Sequence, residues 1–140
     1  MPTIVSYRKY IDPQITRTLK LPAGDDHHPI GTELATLPDG LTYVCLPDGI
    51  TLPTDQPDEI TDSITSPAVL APEIIVELKM ASPHIRLINQ RVADAISERY
   101  TTADEIKLLR TAPSTEFNTY NAFVEDCRAW GRAEKSKLGL

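Results

Sequence analysis

The sequence has few cysteines and no long apolar run, and each scarcity excludes a class of protein. Cys45 and Cys127 are the only cysteines and lie far apart, so we interpret them as reduced, part-buried thiols rather than a disulfide. Apolar runs such as residues 74–76 are far shorter than the roughly 20 residues that cross a bilayer. Residues 1–10 lack the apolar centre of a signal peptide. We therefore expect a soluble protein that is not secreted by the general route.

Basic charge is also scarce in the first half of the chain. Residues 1–70 carry four Lys or Arg and ten Asp or Glu, whereas residues 71–140 carry ten of each. The whole net charge of −6 therefore arises before residue 71. Nucleic acids and anionic membranes are both bound through basic patches that meet phosphates. We expect neither nucleic acid nor membrane as a partner.

Catalytic and metal-binding motifs are nearly absent from the sequence. It contains no glycine-rich phosphate loop, no Gly-x-Ser-x-Gly and no Cys-x-x-Cys. The one cluster of potential metal ligands is Asp25, Asp26, His27 and His28, whose carboxylates and imidazoles could hold a divalent ion. Adjacent histidines rarely converge on one ion, however, so a polar loop is the favoured interpretation. We expect no metal, no cofactor and no enzymatic activity.

Prolines divide the chain at the same place as the charge. Ten of the twelve prolines lie at or before Pro72. Such a segment cannot be one long helix, because each proline lacks a backbone donor and clashes with the preceding turn. We predict an extended arm with a small sheet over residues 1–52, a linker rich in Pro, Thr, Ser and Asp over residues 53–71, and a helical domain over residues 72–140.

Two similar turns predict a β-meander in the arm. Residues 37–40 and 46–49 both read Leu-Pro-Asp-Gly, in which proline presets φ and glycine accepts a positive φ. The flanking residues favour strands, so we predict a three-stranded antiparallel meander over about 33–37, 41–46 and 50–52. A sheet this small needs a covering surface.

Two weaker patterns precede the meander. Residues 3–10 are compatible with a strand. Residues 15–21 alternate apolar and polar side chains, which predicts a further strand, suited to an edge that pairs with a partner.

Helix-start signals mark the second half of the chain. Pro72 suits the first turn of a short helix, and Ser82 before Pro83 is an N-cap followed by proline at the first helical position. Residues 102–105 fit a Thr-x-x-Glu capping box, and Ser114 or Thr115 caps the last helix. We predict a bundle of three to four helices and, with the small sheet, an α+β fold.

Aromatic residues form one stripe on the last predicted helix. Such a stripe is more often core than binding site, but a part that faces outward would be an anchor for a partner. The candidate partner-binding residues are Phe117, Tyr120 and Trp130 on this helix, with Leu41, Tyr43 and Ile50 on the meander.

Two stretches of the chain resemble a known family. The first runs through Leu41-Thr42-Tyr43-Val44, Leu46-Pro47-Asp48-Gly49 and Leu52-Pro53 to Gln56-Pro57-Asp58-Glu59-Ile60. The second begins with Ser82-Pro83-His84-Ile85-Arg86-Leu87-Ile88 and ends with Glu125-Asp126-Cys127-Arg128-Ala129-Trp130-Gly131-Arg132. Over about residues 33–140 the chain resembles the small proteins that tailed bacteriophages and prophages encode beside their tail-fibre genes.

The resemblance implies a function without catalysis. It implies a virion tail or baseplate accessory or, alternatively, a tail-fibre assembly chaperone that is absent from the mature virion. Because a proline-rich arm on a helical head suits docking onto a larger assembly, we expect a structural component of the phage tail that docks fibre and baseplate through protein–protein contacts. The implied partners are other tail proteins, in multiple copies, and the implied location is the virion tail after synthesis in the host bacterial cytoplasm. A metal-dependent enzyme that uses residues 25–28 is a third hypothesis.

Overall fold

The structure, a computed structural model that describes residues 2–140, has the predicted α+β fold, with a small antiparallel sheet early in the chain and helices after it. The strands are β1 (Thr3–Tyr7), β2 (Thr32–Thr36) and β3 (Thr42–Leu46). The helices are α1 (Asp58–Thr61), α2 (Pro72–Ala81), α3 (Pro83–Arg99), α4 (Thr102–Arg110) and α5 (Thr115–Lys137).

The chain divides into two compact units. The sheet unit consists of the residues up to Ile85 together with Lys137–Leu140, and the helical unit is Arg86–Ser136. The boundaries differ from those that composition predicts, which lie after residues 52 and 71. The reason is that side chains between residues 53 and 85, including Ile60 and Leu78, belong to the core around the sheet.

Strand β3 is the centre of the sheet, since the strand order is β1-β3-β2 and both pairings are antiparallel. All five residues of β3 are buried. A strand covered on both faces has no polar side to present, which explains why residues 42–46 lack the alternation of a half-exposed strand. The turn that joins β2 to β3 is the predicted one, with Gly40 at φ +84° and its N–H bonded to the Leu37 carbonyl.

The predicted meander is wrong in its third strand. Residues 50–52 are not a strand, and β1 occupies the place beside β3 instead. β1 forms five residue pairs with β3 and buries Val5 and Tyr7 completely, more than a three-residue strand could supply. The predicted strand over residues 15–21 is also absent. Thr16 makes only an isolated bridge to Tyr10.

Apolar side chains cover both faces of the sheet. On one face Ile4, Tyr43 and Cys45 pack with Leu78 of α2, and Leu138 and Leu140 close over them. The residues on the other face are Val5, Tyr7, Val44 and Leu46, which pack with Leu19 and Ile60. Gly139, at φ +77°, turns the chain after α5, as glycines that end helices commonly do.

Residues 53–71 are not the free linker that their composition predicts. They contain α1, whose Ile60 is fully buried, and Ser6 of β1 exchanges two backbone hydrogen bonds with Thr65. The Gln56 side chain accepts from the Lys20 N–H at 2.8 Å and donates to the Lys20 carbonyl at 2.9 Å. A polar segment is thus held to the sheet unit by one buried side chain and by side-chain hydrogen bonds.

Helix caps agree with the local sequence signals to within one residue. α4 has a capping box at Thr101 rather than Thr102, because the Asp104 N–H donates to the Thr101 hydroxyl and the Asp104 carboxylate accepts from the Thr101 N–H. For α5, Ser114 is the cap, since its hydroxyl accepts from the Phe117 N–H at 3.0 Å. Ser82 precedes α3 as predicted, but its buried hydroxyl has no hydrogen-bond partner among residues 2–140.

We predict that Ile60→Ala lowers the free energy of unfolding of the sheet unit by about 2–5 kcal/mol, because it leaves a cavity against β3. Hydrogen exchange of the β3 amides measures the loss. Val69→Ala is the matched control within the same segment, because Val69 is 94% exposed and its truncation should cost less than about 0.5 kcal/mol. Equal effects of the two changes would show that the segment behaves as a linker.

Candidate functional site

The three candidate partner-binding residues of the sheet unit are largely inside it. Tyr43 is 4% exposed, so its prediction as a surface contact is wrong, because its position on the central strand places the ring in the core. Leu41 packs, half-buried, against the same core, and Ile50 is half-buried after the second turn. The meander therefore offers little of the surface that these residues were expected to form.

Tyr43 is tied to the turn that precedes its strand. Its hydroxyl donates to Asp39 Oδ2 at 2.9 Å, and Asp39 Oδ1 accepts from the Leu41 N–H at 2.9 Å. Burial, and after it the hydrogen bond to the Asp39 carboxylate, raises the pKa of Tyr43 to about 12. Asp39 therefore holds both the turn and the ring in place, which is a structural role.

The acidic and histidine-containing loop lies on the surface. Asp25, Asp26, His27 and His28 are all exposed, His27 has φ +62°, and Asp26 Oδ1 accepts from the His28 N–H at 3.1 Å. Within the described part of the chain, no three His, Cys, Asp or Glu side chains are grouped to hold a metal ion. The arrangement is that of a polar turn.

Two of the candidates on α5 belong to an aromatic cluster. The Tyr100 ring lies 4.9 Å from the Tyr120 ring in an edge-on arrangement, and Phe117 lies 6.2 Å from Tyr120. The Arg99 guanidinium stands 4.7 Å from the centre of the Phe123 ring, within cation–π range. Phe117 and Tyr120 therefore serve to connect the end of α3 to the start of α5.

Trp130 is the candidate that faces solvent, at 42% exposure. It borders a groove of about 430 Å³ between α3 and α5, lined also by Val92, Ala95 and Cys127, with Arg91 on one rim and Asp126 on the other. Sequence reasoning identified Trp130 but missed Arg91 and Asp126. The available signal was spacing, because Arg91 lies four residues before Ala95 and Asp126 four residues before Trp130, which places each pair on one side of its helix.

The helices forming this groove lie close together at Gly131. A Cβ added at Gly131 would lie 2.9 Å from Val92 Cγ2, closer than van der Waals contact permits. The glycine is buried within α5, where any larger side chain would push the helices apart. The width of the groove therefore depends on this position.

A second cleft, with a larger volume of about 720 Å³, lies near α4 and is lined by side chains of both charges. Its polar lining includes Arg99, Asp104, Lys107 and Glu116. Asp104 is occupied by the α4 capping box, which holds its pKa below the usual range through hydrogen bonds from Thr101. Its lining also includes Ser114 and three threonines, and no His or Cys of residues 2–140.

No protein-family model, curated protein or solved structure gives a significant match to the chain. No helix in the described residues combines the length and the apolar character that crossing a bilayer requires. The site must therefore be interpreted from its own geometry. What that geometry offers is an apolar groove beside an exposed tryptophan, which suits the binding of apolar side chains.

Because the folded state favours the neutral Tyr43 phenol, its contribution to stability is complete below about pH 10 and is lost as the pH rises through about 12. We predict that Tyr43→Phe lowers the tyrosinate absorbance that develops near pH 12 in the unmodified protein by the share of one phenol. Asp39→Asn, which removes the carboxylate that accepts from this phenol, should move that share of the absorbance to lower pH. An absorbance near pH 12 that Tyr43→Phe leaves unchanged would contradict the assignment.

We predict that Gly131→Val lowers the free energy of unfolding of the helical unit by about 1–3 kcal/mol through overpacking against Val92. Ala129→Val, at an exposed position of the same helix, should cost only the difference in helix propensity, about 0.5 kcal/mol. Denaturant unfolding followed by fluorescence of the single tryptophan, Trp130, measures both. Adding Val92→Ala to Gly131→Val should recover part of the loss, and no recovery would contradict the packing contact.

Proposed function

We propose that the protein is a structural component of a phage tail that docks fibre and baseplate proteins through protein–protein contacts. The observation that carries the proposal is the uncovered apolar surface on each unit, at Val76 and Met80 of α2 and at Ile106 and Leu109 of α4. The specific assembly comes from the resemblance of residues 33–140 to proteins encoded beside tail-fibre genes. No catalytic step is part of the proposal.

The helical unit supports a docking role because few of its side chains are covered. Within Arg86–Ser136 only Ile88, Val124 and Gly131 are buried, and Ile88 and Val124 are still slightly exposed. On α4, Ile106 and Leu109 lie one turn apart and are 49% and 61% exposed. Small units normally need most of their apolar surface for their own core, so uncovered apolar side chains at helical spacing favour a partner that covers them.

The sheet unit offers a separate apolar surface. Val76 and Met80 are four residues apart on α2 and are 56% and 73% exposed, on the side away from buried Leu78. A protein that joins two others needs two contact surfaces. The α2 surface of the sheet unit and the exposed pair Ile106 and Leu109 of the helical unit meet that need.

The test is mass spectrometry of purified virions from the phage that encodes this chain. We expect the protein in mature particles, in a fixed ratio to the fibre and baseplate proteins. Presence in the infected cell together with absence from mature particles would overturn the structural role and leave the assembly chaperone as the function.

Variants can then assign the surfaces. Met80→Asp should reduce incorporation of the protein into particles, because it places a charge in the α2 contact. Lys79→Asp, at the exposed neighbouring position, is the matched control and should be incorporated normally. If both variants are incorporated like the unmodified protein, the α2 surface is not a docking site.

A further inference from the structure

The groove between α3 and α5 is apolar inside and oppositely charged at its two rims. Arg91 lies on the α3 rim and Asp126 on the α5 rim. Neither side chain forms an ion pair or a hydrogen bond with any other residue in the described range 2–140. An exposed tryptophan beside two unpaired, opposite charges has the composition of an interface centre with a polar rim.

We propose that this groove is the contact between two copies of the chain, related by a two-fold axis. In a two-fold contact, if residue i of one copy touches residue j of the other, then j also touches i. Arg91 of each copy then pairs with Asp126 of the other, and the two Trp130 side chains fill the space over Val92 and Ala95. The same groove surface on both copies thereby provides two Arg91–Asp126 ion pairs.

Charge complementarity favours a second copy, because another partner would need one acidic and one basic side chain spaced to match the two rims, whereas two-fold symmetry supplies both. An acidic peptide would pair with Arg91 and leave Asp126 facing a like charge, and a basic peptide would do the reverse. A purely apolar segment would leave both charges unpaired at the rim. A second copy in two-fold orientation satisfies both rims with no further residue.

The apolar surface continues along α3 beyond the groove. Leu87 lies one turn before Arg91 on the same side of the helix and is 48% exposed. α3 has 17 residues, which corresponds to a helix about 26 Å long. The α3 helices of two copies can therefore contact each other along an extended surface rather than at one point. This self-association is independent of the proposed tail function.

The experiment is sedimentation of the full-length protein over a range of concentrations, with two charge reversals. Arg91→Asp and Asp126→Arg each turn both attractive pairs of the dimer into repulsions. Each variant alone should therefore raise the Kd of the dimer by roughly tenfold or more. An equimolar mixture of the two variants restores attraction at both contacts. We expect the mixture to form a heterodimer with an affinity near that of the unmodified protein.

Arg132→Asp is the matched control, because Arg132 is exposed on another side of α5 and its reversal should leave the dimer unchanged. Circular dichroism checks that each variant keeps its helices. A protein that is monomeric at every concentration would overturn the proposal. So would a dimer that neither reversal weakens, or a mixture of the two reversals that stays monomeric.

Discussion

The burial of β3 on both faces is the constraint on which the sheet unit depends. Its five residues lie between two other strands, and every one of them is covered. A three-stranded sheet with two apolar faces needs a layer on each side. α2 and residues 138–140 form one layer, and residues 19–21 with α1 form the other. The arm, the linker and the chain after α5 therefore belong to one core.

Local signals in the sequence located most of the helix starts and the hairpin turn correctly. Caps and Pro-Asp-Gly turns act through hydrogen bonds between residues two to four positions apart, so the sequence contains all that is needed to find them. β1 beside β3 could not be found in this way. Their pairing joins residues some forty positions apart, and composition favoured the nearer residues 50–52.

The same limit applies to the segment from residue 53 to 71. Its polar composition is typical of a linker, yet Ile60 alone places it in the core, since one fully buried side chain can anchor a short helix. The candidate site shows the limit again. The spacing of aromatic residues along α5 identified Trp130. Arg91 and Asp126, however, can be recognised as opposite charges at one groove only once α3 and α5 are known to be side by side.

The chain leaves the sheet unit at Ile85 and returns at Lys137, with the helical unit made in between. Protein domains generally fold one after another as they emerge from the ribosome. Here the core around the strands can be completed only after α5 has been synthesised, because Leu138 and Leu140 cover part of the apolar face of the sheet. Until residue 140 has emerged, Ile4 and Cys45 remain partly uncovered in the nascent chain. During synthesis this part of the apolar face is therefore the last part of the sheet unit to be covered.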